Sequence, residues 1–143
     1  LLLMFLSFLV SAFLTNQLLS ALVGLGVGAP TGFLIEYTGV LKLKLWSYRG
    51  IRFPQGSMLF FLLMGWGIVG METSLLTQWI PNMAIAFLVA TLIPLGLIEL
   101  PNVRKHLWEY YAPSWLVMLG WGITIFSFQT TARVVALLTG RGP

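Results

Sequence analysis

The chain has 143 residues, of which 58% are hydrophobic and 8% are charged. Soluble domains contain roughly 45–50% apolar and 25% charged residues, so this composition excludes a water-soluble globule and indicates a bilayer as the solvent. The net charge of +4 comes with no basic run or RNA-binding motif, so we expect no nucleic-acid partner. With no cysteine, no aspartate and four glutamates, the chain is poor in catalytic groups.

Five apolar segments follow one another along the chain. The first, residues 1–14, starts without Met and indicates a truncated helix, with a cleaved signal peptide as the alternative. The next four cover about 18–38, 57–76, 81–100 and 114–133. Each has about 20 residues, the length that crosses a hydrocarbon layer of ~30 Å. We therefore predict an all-α integral membrane protein, one transmembrane domain spanning residues 1–143.

Basic residues predict the orientation of these spans. The loops 41–56 and 101–112 hold six of the eight Lys and Arg residues and would lie on the same side of the membrane. Loops rich in Lys and Arg stay in the cytoplasm. We expect a multi-pass protein with both of these loops cytoplasmic and the C-terminus outside.

The chain also repeats itself, with one unit at 18–78 and a second at 81–137. A Leu-Ile-Glu triplet, a Leu-Trp-x-Tyr element, a proline and a Gly-Trp-Gly element occur in the same order in each unit. Each unit contains two spans that cross the membrane in opposite directions, so both units begin on the same side. The units should therefore form two parallel helical hairpins, related by a pseudo-two-fold axis along the membrane normal.

Small residues recur at every fourth position of the second span. They are Ser20, Gly24, Gly28 and Gly32, and Glu36 follows at the same spacing. Such a ridge lets helix backbones approach closely in lipid. We expect a tight contact with the first or fourth span, or alternatively with another membrane protein. Pro30 also makes this helix prone to a kink or break.

Glu36 and Glu99 are the candidate catalytic acids, because an intramembrane carboxylate is costly and by default marks a site. The alternative is local pairing within each unit, with Lys42, Arg49, Arg104, Lys105, or a Tyr or Trp donor. Glu72 is expected to be solvated on the outer face. With no ionisable residue expected at the midplane, the sequence does not indicate transport.

Aromatic residues of the repeated elements are the candidate ligand-binding residues. They are Trp46, Tyr48, Trp66, Trp108, Tyr110 and Trp121. The Gly-Trp-Gly elements could line a groove for a flat apolar ligand, or they could be ordinary knob-and-gap packing. His106 is a further candidate, as a pigment ligand, or else a solvated histidine in a basic loop. No second His exists to share a metal, and no metal site is predicted.

The order Glu, Trp-x-Tyr, Pro and Gly-Trp resembles a pattern in small polytopic bacterial membrane proteins, including carotenoid-biosynthesis proteins similar to the membrane lycopene cyclases. The matching residues are Glu36, Trp46, Tyr48, Pro54, Gly65 and Trp66, then Glu99, Trp108, Tyr110, Pro113, Gly120 and Trp121. The resemblance implies a carotenoid ligand and proton-initiated chemistry on the acid residues. The chain departs from those cyclases in having two rather than three spans per unit and no aspartate.

Two functions remain open from the sequence. The first is a non-catalytic accessory subunit that packs against the membrane proteins of a larger complex and holds lipid, carotenoid or a chlorophyll-type pigment. The second is a membrane enzyme that acts on an isoprenoid or carotenoid with Glu36 or Glu99 as the acid. A substrate site should bring both glutamates into one ligand-sized cavity, whereas a scaffold should pair each of them locally.

Overall fold

The computed structural model describes residues 2–48, 57–106 and 108–140, and it is almost entirely helical. The α-helices are α1 (Leu2–Leu14), α2 (Leu18–Glu36), α3 (Ser57–Trp79), α4 (Met83–Pro94), α5 (Leu100–Arg104) and α6 (Ser114–Leu138). Within the described residues, four helices are long and apolar enough to cross a bilayer, at Leu18–Lys42, Phe60–Trp79, Met83–Arg104 and Ser114–Leu138. The expected all-α class is thus present, together with four long apolar helices.

Two π-helical segments extend the spans that end in glutamate. Tyr37–Lys42 continues α2, and Leu95–Glu99 joins α4 to α5. A π-helix closes its turns with one more residue than an α-helix and is often found at functional sites. In this protein the two segments begin or end within one residue of Glu36 and Glu99.

A short antiparallel ribbon joins the two polar loops. Its strands are β1 (Trp46–Tyr48) and β2 (Trp108–Tyr110), and the register pairs Trp46 with Tyr110 and Tyr48 with Trp108. Each Trp-x-Tyr element therefore pairs with the other one. This pairing places the two loops at the same end of the helix bundle.

Helices α2 and α3 form the closest helix pair of the fold. A Cβ atom at Gly24 or Gly28 would collide with the backbone of Gly70, and at Gly28 also with the carbonyl of Trp66. Ser20, which begins this ridge, is buried as well. The ridge thus packs on α3 rather than on the first or fourth span as expected, because Gly70 supplies the matching gap in α3. Helix α2 also continues without a break through Pro30.

Two apolar clusters fill the bundle on either side of α3. One joins Val69 and Leu76 to side chains of α4 and α6, including Ala90, Ile125 and Phe128. The other joins Met71 and Leu75 to Ala12 of α1 and Ala21 of α2. Helix α3 is consequently the central helix, and most of its span is buried, whereas the other three long helices keep broad apolar faces exposed.

Candidate functional site

The Glu36 carboxylate is the centre of a hydrogen-bonded cluster at the ribbon end of α2. Trp46 Nε1 donates to Oε2 at 2.8 Å, and Trp66 Nε1 donates to Oε1 at 3.0 Å. The Tyr48 hydroxyl donates to Oε2 as well. Only 5% of the Glu36 surface is exposed, so three aromatic donors replace the water that a surface carboxylate would bind. The arrangement holds the carboxylate in one orientation.

Two glycines make the room that this cluster needs. A Cβ atom at Gly32, one turn before Glu36, would overlap the indole of Trp66. A Cβ atom at Gly39, just after Glu36, would overlap the indole of Trp46. Both rings can reach the carboxylate because these positions lack side chains.

Tyr48 is buried on the ribbon, and its phenol is a hydrogen-bond donor. Burial, and then the charge of neighbouring Glu36, raises the pKa of the Tyr48 phenol well above its ordinary value. The phenol is therefore protonated at neutral pH. Its hydrogen bond to Glu36 is accordingly a donated one.

The second glutamate has a similar but smaller set of contacts. The indole of Trp121 lies close to the Glu99 carboxyl group. Trp121 also stacks on Trp66, with ring centroids 5.2 Å apart and ring planes inclined by 24°. Trp66 therefore donates to Glu36, Trp121 lies close to Glu99, and the two indole rings contact each other.

Both glutamates line one large cavity at the ribbon end of the bundle. Its volume is about 1170 Å³, and the walls come from α2, α3, α6, the π-helical segments and the ribbon. All six aromatic residues predicted from the sequence surround it, namely Trp46, Tyr48, Trp66, Trp108, Tyr110 and Trp121. Within the described part of the chain, the lining contains no Lys, Arg or His. The cavity suits an apolar molecule without an anionic group.

Some polar residues that line the cavity were not predicted from the sequence. Thr31, Thr124 and Asn102 also face the cavity. The Asn102 amide donates to the carbonyl of Ile98 at 2.6 Å, and the Thr124 hydroxyl donates to the carbonyl of Gly120 at 2.8 Å. Single polar residues inside apolar spans are the signal that could have identified them, since each must find a partner in lipid.

Of the basic residues considered as partners, Lys42, Arg104 and Lys105 do not line the cavity. The Lys42 ammonium sits 5.8 Å from the centroid of the Tyr37 ring. Arg49 is outside the described residues. His106 is exposed, has a left-handed backbone conformation with φ of 56° and does not line the cavity. In the ranges that the structure describes, no three His, Asp or Glu side chains gather as a metal site would require.

The burial of Glu72 contradicts the expectation that this residue is solvated on the outer face. Its side chain is 1% exposed, and Oε1 has no hydrogen-bond partner in the described structure. Oε2 has only a long contact of 3.4 Å with the Thr73 hydroxyl. The surrounding side chains are apolar and belong to α1, α3, α4 and the second π-helical segment. The reason is its position within Phe60–Trp79, the most buried of the long spans.

Comparisons with protein-family models, with curated proteins and with solved structures find no match to this chain.

Proposed function

We propose that the protein is an integral membrane protein that binds an uncharged isoprenoid or carotenoid in the cavity and acts on it by acid catalysis. The observation that carries this proposal is that Glu36 and Glu99, distant in sequence, line the same apolar cavity. At about 1170 Å³ it exceeds the usual range for small-molecule pockets, about 300–1,000 Å³, and it offers room for a long hydrocarbon chain.

The bilayer location is supported by the outer surface. Large apolar side chains are more than half exposed on several helices, among them Leu3, Leu34, Leu88 and Phe126. In water such a surface would aggregate, whereas in lipid it has no cost. We place the ribbon end in the cytoplasm, because Lys42, Lys44, Arg104 and Lys105 border it. Helix α6 then carries the C-terminus to the other side.

Two parallel repeats explain the paired contacts. The ribbon pairs one Trp-x-Tyr element with the other in antiparallel register, as a two-fold axis along the membrane normal requires. Trp66 beside Glu36 and Trp121 beside Glu99 also occupy corresponding positions of the two units in the sequence. This arrangement supports the repeat units 18–78 and 81–137 that the sequence predicts.

The two carboxyl groups are suited to different roles. Glu36 is buried and accepts three hydrogen bonds, so it is a fixed acceptor that positions the cluster. Glu99 is partly open to the cavity, so it is the group that can touch a ligand. We assign it the role of proton donor. The proton adds to one carbon of a double bond, and a neighbouring carbon of the resulting cation loses a proton to a carboxylate, so no redox partner is needed.

An accessory subunit is the second candidate. The local donors around Glu36 fit it, and the apolar outer faces could contact other membrane proteins. However, the glycine ridge packs on α3 within the chain. A subunit held together only by packing also does not need two carboxylates in one cavity. We therefore place this function after the enzymatic one.

The test uses the whole chain in lipid nanodiscs with lycopene, an uncharged polyene. Binding should quench tryptophan fluorescence, because four Trp rings line the cavity. Incubation in D₂O should add deuterium to the polyene, as detected by mass spectrometry. Glu99→Gln should bind the polyene but add no deuterium, whereas Glu109→Gln, at an exposed ribbon position, should behave as the wild type. Quenching without deuterium in the wild type would leave a binding protein, and no quenching would contradict the proposal.

A further inference from the structure

Two threonine hydroxyls of the cavity wall are free of hydrogen bonds. Most threonine hydroxyls of the described chain donate to the carbonyl oxygen of the residue four positions earlier, which is how a hydroxyl in lipid finds a partner. Within the residues that the structure describes, the threonines that make no hydrogen bond at all are Thr31 and Thr38. Both of them line the cavity.

Thr31 differs from Thr38 in its surroundings. Thr38 is exposed in the π-helical segment near the polar loop, where water and lipid headgroups supply partners. Thr31 is half-buried and lies one residue from the middle of the apolar span Leu18–Lys42. In the bilayer location that we propose, the hydrocarbon at this depth offers no partner. The Thr31 hydroxyl is not among the buried polar atoms without a partner in the described structure, so it is accessible from the cavity.

The wall beside Thr31 has room for a ligand. Gly32, the next residue, lies so close to Trp66 that a Cβ atom there would overlap the indole. Thr31 and Gly65 are the chain neighbours of these two residues, so they lie at the same level of the bundle, and both line the cavity. A Cβ atom at Gly65 would meet nothing within 4 Å. The cavity is therefore open at the level of the free hydroxyl.

A free hydroxyl in an apolar cavity favours a ligand that carries oxygen. The Thr31 hydroxyl can donate its hydrogen to a carbonyl, ether or hydroxyl oxygen. Such a bond is favourable because a donor without an acceptor is costly in apolar surroundings. An ionised phosphate or carboxylate does not fit, since the described lining contains two glutamates and no Lys, Arg or His. The acceptor is therefore an uncharged oxygen.

We propose that Thr31 donates a hydrogen bond to an uncharged oxygen atom of the ligand, so that the ligand is an oxygenated isoprenoid rather than a pure hydrocarbon. This inference rests on the proposed function, since it requires an isoprenoid in the cavity, and it narrows the class of that ligand. Thr31 is a binding residue in this role and takes no part in the proton transfer assigned to Glu99.

The experiment compares an isoprenoid ketone with a hydrocarbon of nearly the same shape. Farnesylacetone and the hydrocarbon in which a methylene group replaces its carbonyl oxygen are added in equal amounts to the protein in nanodiscs. Native mass spectrometry of the released protein then gives the ratio in which the two ligands are bound. One satisfied hydrogen bond corresponds to about a tenfold preference for the ketone.

Three variants assign this preference to one hydroxyl. Thr31→Val keeps the branched shape of the side chain and should reduce the preference to about twofold or less, with hydrocarbon binding unchanged. Thr31→Ser keeps a hydroxyl and should retain most of the preference. Thr130→Val is the matched control, because Thr130 is exposed, does not line the cavity and already donates to the carbonyl of Phe126.

The infrared carbonyl band of the bound ketone reports the hydrogen bond itself. In the wild type and in Thr31→Ser this band should lie at a lower wavenumber than in Thr31→Val. A wild type without preference, or a preference that persists in Thr31→Val, would overturn this inference and leave the proposed function standing. If the wild type bound neither ligand, nor lycopene, the proposed function would fail together with it.

Discussion

Trp66 and Trp121 stack on each other with ring centroids 5.2 Å apart, and each indole faces the glutamate of its own half. The stack joins α3 to α6 at the level of the cavity. Aromatic pairs of this kind contribute about 0.5–1.5 kcal/mol beyond their area. The stack therefore places the indole that donates to Glu36 in direct contact with the indole that lies close to Glu99.

The close packing of α2 on α3 can be tested by substitution of glycines in α2. Gly28→Leu puts a side chain against the backbone of Gly70 and Trp66, neither of which can rotate away. Overpacking costs about 1–3 kcal/mol, so the thermal unfolding temperature in detergent should fall. Gly26→Leu is the control, since a Cβ atom there meets nothing within 4 Å, and Leu is the better helix former. Equal unfolding temperatures of the two variants would contradict the close packing of α2 on α3.

Removal of the Glu36 carboxylate should destabilise the ribbon end of the bundle. Glu36→Ala leaves three aromatic donors without their acceptor, and each unsatisfied buried group costs about 1–3 kcal/mol. Glu36→Gln keeps one oxygen and should lie between the wild type and the alanine variant. Glu109→Ala changes an exposed residue of the same ribbon and should leave the unfolding temperature unchanged. A stable Glu36→Ala protein would mean that the cluster contributes little.

Glu72 should be replaceable with a gain in stability. Glu72→Met keeps the volume and removes an orphaned oxygen from apolar surroundings, so we expect an unfolding temperature equal to or above that of the wild type. The neighbouring change Met71→Gln runs in the opposite direction at a fully buried position and should destabilise the protein. A large loss of stability in Glu72→Met would show that the carboxyl group has a partner.

The topology can be checked with single cysteines, because the chain has none. Leu43→Cys and Lys105→Cys lie in exposed positions at the ribbon end and should both be labelled from the cytoplasmic side. Thr15→Cys and Pro81→Cys, in the connections at the opposite end, should be labelled from outside. Labelling of Leu43→Cys and Lys105→Cys from different sides would contradict both the ribbon and the parallel repeat.

Alkaline titration should single out Tyr48. Because its folded-state pKa is raised above the ordinary value of about 10, its contribution to stability is complete below pH ~10 and is lost as the pH rises through the folded pKa. The difference in tyrosinate absorption between wild type and Tyr48→Phe should therefore have its midpoint above pH 10. A midpoint at or below 10 would mean that the phenol is accessible to water.

The length of the apolar segments predicted the helices well. A segment that crosses a bilayer of fixed thickness has to form the hydrogen bonds of its own backbone, and a helix does so. The expected span at 114–133 corresponds to α6, which runs five residues further, to Leu138. The repeated Trp-x-Tyr elements were recognised as a pair, but their pairing as a ribbon was not predicted, since three-residue strands have no periodicity to detect.

The site was predicted less completely than the helices. Glu36 and Glu99 were selected as carboxylates within apolar spans and the six aromatic residues from the repeated elements, and the structure places them around one cavity. The burial of Glu72 and the choice of α3 as partner of the glycine ridge were missed. Both depend on which helix lies at the centre of the bundle, and that arrangement follows from contacts between distant segments such as Gly28 and Gly70.

The closeness of α2 and α3 also restricts how a molecule dissolved in the bilayer can reach the carboxylates. Backbones that touch at Gly24, Gly28 and Gly70 leave no slit for a hydrocarbon chain. Some cavity-lining side chains are nevertheless more than half exposed, namely Leu34, Leu97, Leu119 and Ile123. Under the proposed function, a lipid-soluble substrate would therefore enter between the helices past these four side chains, directly from the acyl chains, and would reach Glu99 without crossing water.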